Sequence, residues 1–246
     1  MKTSYLLFGC IVLLLACSKK KNSGPDEVLS GNIKQTTETV NGITYRLFTK
    51  INTADFKGIL VMGSGNDENN PTAGNLDGGP ENDICKKAAQ NDYVAAIVQY
   101  RKTPGTANWN ESARMIGEDY DKCITAIAGK YNVDKSKSVV GGYSYASFML
   151  LTNIAYNNSL PYCKGVLAAC GASGADQASK FKIPVFSITC KGNHEGDYAG
   201  QALYDQIPAN AAIKAKSEGI TDNSCDGHCD GNWTAQMYTK MVFWLQ

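Results

Sequence analysis

Five stretches of this chain have the look of strands without a polar face: "GILVMG" (58–63), "YVAAIVQY" (93–100), "KSVVG" (137–141), "KGVLAAC" (164–170) and "IPVFSITC" (183–190). A strand that is apolar on both sides must be covered on both sides. Amphipathic helical stretches lie between and after these runs. One is expected from about Glu81 to Asn91, and another over 111–131, where Ile116, Tyr120, Cys123, Ile124 and Ile127 share a face. "AAIKAKSEG" (211–219) is read as the last strand and "WTAQMYTKMVFWLQ" (233–246) as a closing helix. The alternation predicts a mostly parallel central sheet with helices on both faces. Alternating apolar residues around Asn41-Gly42 add an antiparallel hairpin at its start. In such sheets chemistry gathers at the carboxyl ends of the strands.

The rest of the chain sets bounds. There are 246 residues with a formal charge of +1 and no repeat, which suits one domain and shows no basic field for a nucleic-acid partner. Lys2 followed by "YLLFGCIVLLLAC" reads as a signal peptide over 1–16. Leu14-Leu15-Ala16-Cys17 resembles the bacterial lipobox, which makes Cys17 the lipidated mature N-terminus of an exported, membrane-anchored protein at the cell envelope. Residues 17–37 are then a flexible tether and 38–246 the folded domain. Removing 1–16 takes away Lys2 alone and leaves a formal charge of zero.

"VVGGYSYASFML" (139–150) carries the sharpest signal. Gly142-Tyr143-Ser144-Tyr145-Ala146 is the G-x-S-x-G strand-to-helix elbow with alanine for its last glycine, and it offers Ser144 as a nucleophile. Ser147 competes, but Tyr145 two residues before it would crowd the turn. A serine needs a base, and the chain has only two histidines. His228, in "SCDGHCDGNW", stands after the last expected strand, where the serine–acid–histidine order of α/β-hydrolases puts the base. His194 directly follows a strand, where the acid belongs. The turn Gly192-Asn193-His194-Glu195 offers Glu195 first; Asp197 is the alternative, with Asn193 behind both. Asp176 lies in what looks like a helix start. The oxyanion hole should combine the amide of Tyr145 with one from "Gly63-Ser64-Gly65-Asn66", Ser64 first and Gly65 next.

With these parts in order, the chain resembles an α/β-hydrolase from about residue 38 to the end. It is most similar to compact secreted esterases of the dienelactone-hydrolase, feruloyl- or acetylxylan-esterase and cutinase-like kinds. The resemblance implies acyl transfer through a Ser-acid-His triad. Ala146, the glutamate, and Met62 where a histidine is usual depart from the pattern. "GASGADQASKFK" is too short for a cap domain, so an open cleft for a bulky, carbohydrate- or polymer-linked ester is expected, with Tyr143, Tyr145, Trp109 and Trp233 as candidate lining. No cofactor and no metal is assigned; the acidic loops "NDENNPTAGNLDGGPEND" and "DNSCDGHCDGN" lack the EF-hand spacing. Two other readings share this fold: a serine peptidase or acyltransferase, and a binding lipoprotein without catalysis.

Export permits disulfides. Setting aside Cys10 and Cys17 leaves seven cysteines, an odd number, and no C-x-x-C. Cys163 and Cys170, about 23 Å apart if the strand between them is extended, cannot pair. The acid and base loops must meet, which brings Cys190 near Cys225 and Cys229. Secreted esterases with a disulfide beside acid and base are a precedent for a bridge from Cys190 to Cys229, or to Cys225; local pairing of Cys225 with Cys229 and reduced thiols are the alternatives.

Overall fold

The computed structural model describes residues 27–246. The expected signal peptide and the lipidation position Cys17 lie outside them. Nine strands form one sheet: β1 (Glu27–Ser30), β2 (Ile33–Val40), β3 (Ile43–Lys50), β4 (Ile59–Gly63), β5 (Val94–Gln99), β6 (Ser138–Tyr143), β7 (Val166–Ala169), β8 (Val185–Cys190) and β9 (Glu218–Asp222). Their order is β1-β2-β3-β5-β4-β6-β7-β8-β9. β1 through β3 and β5 pair antiparallel, and every pairing from β5 through β4 to β9 is parallel. The hairpin turns at Asn41 and Gly42, with φ of 52° and 77°, as a two-residue turn between right-twisted strands requires.

The apolar runs split by strand alternation between two cores. Ile59 and Val61 of β4, Val140 of β6 and Val166 of β7 face one side, where α2 (Trp109–Tyr131) and α3 (Tyr145–Thr152) cover them with Ile116, Tyr120, Ile124 and Met149. Leu60 and Met62 of β4, Val139 of β6 and Leu167 of β7 face the other. There α1 (Gly79–Gln90) and α6 (Thr234–Leu245) supply Ile84, Cys85, Met237 and Met241. Two short helices complete the set, α4 (Ala175–Ala178) and α5 (Gly200–Gln206). The connection from β7 to β8 holds only α4, so among the described residues no cap domain is inserted there.

Two boundaries differ from expectation. The sheet begins at Glu27, so 27–37 of the expected tether belongs to the β1–β2 hairpin, in which Gly31, at φ 62°, closes the turn that folds β1 onto β2. The last strand is Glu218–Asp222 rather than 211–219; the earlier part turns through a 3₁₀ segment at Lys214–Lys216.

The disulfides are Cys190–Cys225 and Cys170–Cys229. Cys190 therefore takes the second of its two expected partners. Cys229 is engaged by Cys170, which follows β7 and lies beside the elbow strand. Cys163, unbonded to Cys170 as expected, is free and buried, as are Cys85 and Cys123. Two disulfides indicate a protein folded outside the reducing cytosol. No helix among the described residues is long and apolar enough to cross a membrane.

Candidate active site

Ser144 stands between β6 and α3 at φ 47°, ψ −119°, a conformation few non-glycine residues adopt. Small residues make that turn feasible. A Cβ on Gly142 would lie 2.7 Å from the Ala146 methyl, and one on Gly63 would lie 3.2 Å from it. Both glycines leave room for the extra methyl that alanine brings. Ser147 is fully buried and packs against Gly171, so it takes no part in the site.

The half-buried Ser144 hydroxyl lies 2.7 Å from His228 Nε2. His228 Nδ1 points at the turn after β8. Asn193 Oδ1 is 3.2 Å away and Glu195 Oε2 3.5 Å away. Asn193, 6% exposed, is oriented by its own amide N–H, which donates to Thr189 Oγ1 at 2.7 Å and so leaves Oδ1 facing the imidazole. Glu195 Oε1 contacts His194 Nε2, while the buried Oε2 has no hydrogen-bond partner other than what the Nδ1 proton can offer. Asp197 is exposed on the 3₁₀ turn Gly196–Tyr198 and is not among the groups within reach of His228. Asp176 accepts from the Tyr156 hydroxyl at 2.8 Å, away from the site.

Tyr145 is the first residue of α3, so its N–H has no partner within the helix. The loop after β4 lies opposite. A Cβ on Gly65 would stand 3.2 Å from Ser144 Cβ, which puts this backbone against Ser144. Ser64 fixes the loop: its hydroxyl accepts from Asn75 N–H at 2.8 Å and its carbonyl from the Tyr100 hydroxyl at 2.9 Å. A cavity of about 260 Å³ opens here, lined by Asn66, Asp67, Glu68, Phe148 and His194 beside Ser144, Glu195 and His228. A larger groove lies along β9 and α6, lined by Phe186, Ile220 and Phe243, and contains none of these groups.

The aromatic lining differs from expectation. Trp233 is buried and donates to Asp222 Oδ2 at 2.8 Å; Tyr143 is buried with its hydroxyl 3.4 Å from Met237 Sδ. Tyr145 borders the cavity but is 1% exposed, and its hydroxyl bonds Thr103 Oγ1 at 2.6 Å. Trp109, half-buried, packs on Tyr145 and Phe148. These rings are core, and the exposed rim is polar. Sequence reasoning gave Asn193 last place among acid candidates, and it passed over the contact of His194 with Glu195, although the two are adjacent in the chain.

No protein-family model matches the sequence, and no curated protein matches it as a relative. Solved structures do match in three dimensions. A Klebsiella pneumoniae protein assigned as a dienelactone hydrolase superposes with a TM-score of 0.59 at 15% identity, over 86% of this chain and 96% of its own. A cold-adapted esterase from an Arctic intertidal metagenomic library gives 0.57 at 12%, over 89% and 96%. A thermostable esterase from Pseudomonas putida gives 0.60 at 13%, over 87% and 83%. The chain therefore has the α/β-hydrolase fold.

Proposed function

We propose that this protein is a serine carboxylic-ester hydrolase with Ser144 as nucleophile, His228 as base and Glu195 as acid. The observation that carries the reading is the 2.7 Å contact between Ser144 Oγ and His228 Nε2 at a positive-φ elbow. With its proton on Nδ1, His228 offers the Nε2 lone pair to the serine hydroxyl. Ser144 attacks the ester carbonyl as His228 takes its proton. The oxyanion is met by the N–H of Tyr145 and one from Ser64 or Gly65. His228 then protonates the departing alcohol, and water, activated by the same nitrogen, releases the acid from Ser144. Glu195 stabilises the imidazolium that forms twice in each cycle. Without a cap, the cleft suits a bulky or polymer-linked ester, and a lipid at Cys17 would hold the enzyme at the membrane that carries or faces it. No cofactor and no nucleic acid enters this chemistry.

Labelling with a fluorophosphonate probe tests the reading, alongside turnover of p-nitrophenyl acetate. The wild type should label and turn over, and Ser144→Ala should do neither while keeping its melting temperature. Undiminished labelling of Ser144→Ala would reject Ser144 as nucleophile.

A further inference from the structure

Glu195 is shared between two imidazoles. His194 Nε2 lies against Oε1, and His228 Nδ1 lies 3.5 Å from Oε2. The rings are 5.8 Å apart, and one donor atom from each of the three residues lies within 4.8 Å of the other two. No other cluster of histidine, cysteine and acidic side chains with this spacing occurs among the described residues. A metal with ligand bonds of about 2.0–2.2 Å needs donors roughly 3.3–3.6 Å apart. His194, with its side chain 79% exposed, can close the remaining gap by rotation. Two imidazoles and one carboxylate suit zinc or copper rather than calcium or magnesium. The open cavity beside them leaves room for a water as fourth ligand.

We propose that His194, Glu195 and His228 bind a divalent transition-metal ion, zinc being the reference, and that its binding switches off the hydrolysis proposed above. The inhibitory half rests on that reading; the binding half does not. A neutral imidazole has one proton and two ring nitrogens. When the metal takes the Nδ1 lone pair, that proton sits on Nε2, facing Ser144. His228 then has no lone pair for the serine proton, and Glu195, drawn to the metal, no longer serves the imidazole. The Nδ1–H bond is lost, an Nε2–H bond forms with the proton exchanged through water, and no bond between heavy atoms of the protein changes, so chelation reverses the shift and restores the base.

Isothermal titration calorimetry of zinc chloride into the disulfide-bonded exported chain decides the site without any activity. One equivalent should bind to the wild type and equally to Ser144→Ala, which retains all three ligands. His194→Ala and Glu195→Gln should each weaken binding at least tenfold. Absence of saturable one-to-one binding, or affinities unchanged in both ligand variants, overturns the site. Ester turnover, read in parallel, should fall with the same midpoint as binding and return on adding EDTA. In His194→Ala the inhibitory midpoint should rise at least tenfold relative to that variant's own metal-free rate. Full turnover by zinc-saturated protein overturns the switch. A wild type that binds zinc but turns over no ester overturns the hydrolase reading and the switch with it, leaving the metal site standing.

Discussion

Two side chains face His228 Nδ1, and the nearer is the amide. Asn193 at 3.2 Å can orient the imidazole, but it carries no charge to balance an imidazolium; Glu195 at 3.5 Å does. A charge pair near 4 Å is worth about 4 kcal/mol at an effective dielectric of 20, less where water enters, as it does beside this partly exposed ring. That corresponds to roughly 10²- to 10³-fold in rate. Glu195→Gln should therefore lower kcat by about that factor, whereas Asn193→Ala should cost only about tenfold. Asn193→Asp, made in the Glu195→Gln background, should restore much of the loss by placing a carboxylate at the nearer position. Steady-state kinetics of the four proteins checks this, and a Glu195→Gln enzyme within threefold of wild type would assign the acid elsewhere. Glu81 poses a different question. It is 3% exposed in the first turn of α1, and burial raises its carboxyl above the usual range. The folded protein thus holds the Glu81 proton more tightly than the unfolded chain does. Its contribution is intact below the unfolded carboxyl value and is lost as pH rises through the folded one. Glu81→Gln should gain stability relative to wild type as pH goes from 4 to 8, read as the difference in urea midpoints; a difference that does not change with pH would show that Glu81 has found a stabilising partner.

The loop between β9 and α6 carries His228, the base proposed above, but little apolar surface of its own, and covalent bonds replace what packing does not supply. Cys190–Cys225 ties it to the end of β8, and Cys170–Cys229 to the end of β7, across 35 and 59 residues of chain. Asp222 adds a third hold, accepting from Ser224 N–H and Oγ–H and from Trp233, contacts that keep its carboxyl below the usual range. By loop-closure entropy each disulfide contributes about 4 kcal/mol. Cys170→Ser with Cys229→Ser should lower the unfolding free energy by up to that amount. It should also reduce turnover well below the temperature at which the variant melts, because His228 adjoins Cys229. Full activity at 25 °C in the destabilised variant would show that the loop holds its shape unaided. The convergence of these loops could be argued from the chain order, because acid and base must touch. The partner of Cys229 could not: Cys170 is brought near it by the β6–β7 pairing, a relation that spacing along the chain does not contain.

How far the fold could be read tracks how deeply each strand is buried. β4 through β8 announce themselves because both faces are covered: every residue in them is buried except Gln99 at the end of β5. The edges are quieter. β9, "EGITD", buries Gly219 alone, and β1 leaves Val28 and Leu29 exposed, so neither has an apolar pattern to detect. Within the site, Ser144 and His228 follow from turn chemistry and the scarcity of histidine. The precedence of Asn193 over Glu195 at Nδ1 depends on a side-chain rotamer held by Thr189, which residue type and spacing do not encode. The middle of the sheet also has a consequence for substrate size. Nothing from the β7–β8 connection covers Ser144, and the exposed Asp67 and Glu68 at the cavity mouth leave one side of it polar. On the ester-hydrolase reading proposed above, the alcohol part of the substrate extends into water instead of filling an enclosed pocket. Enlarging that alcohol from methanol to a sugar or an oligosaccharide, with the acyl group held constant, should change kcat/KM by less than about tenfold, since little binding energy is gained or lost outside the cavity. With the acyl group proposed to occupy the cavity of about 260 Å³ beside Phe148, enlarging it should be felt more. A matched ester series would read both slopes, and a fall of a hundredfold or more with alcohol size would show that the site closes over its substrate despite the missing cap.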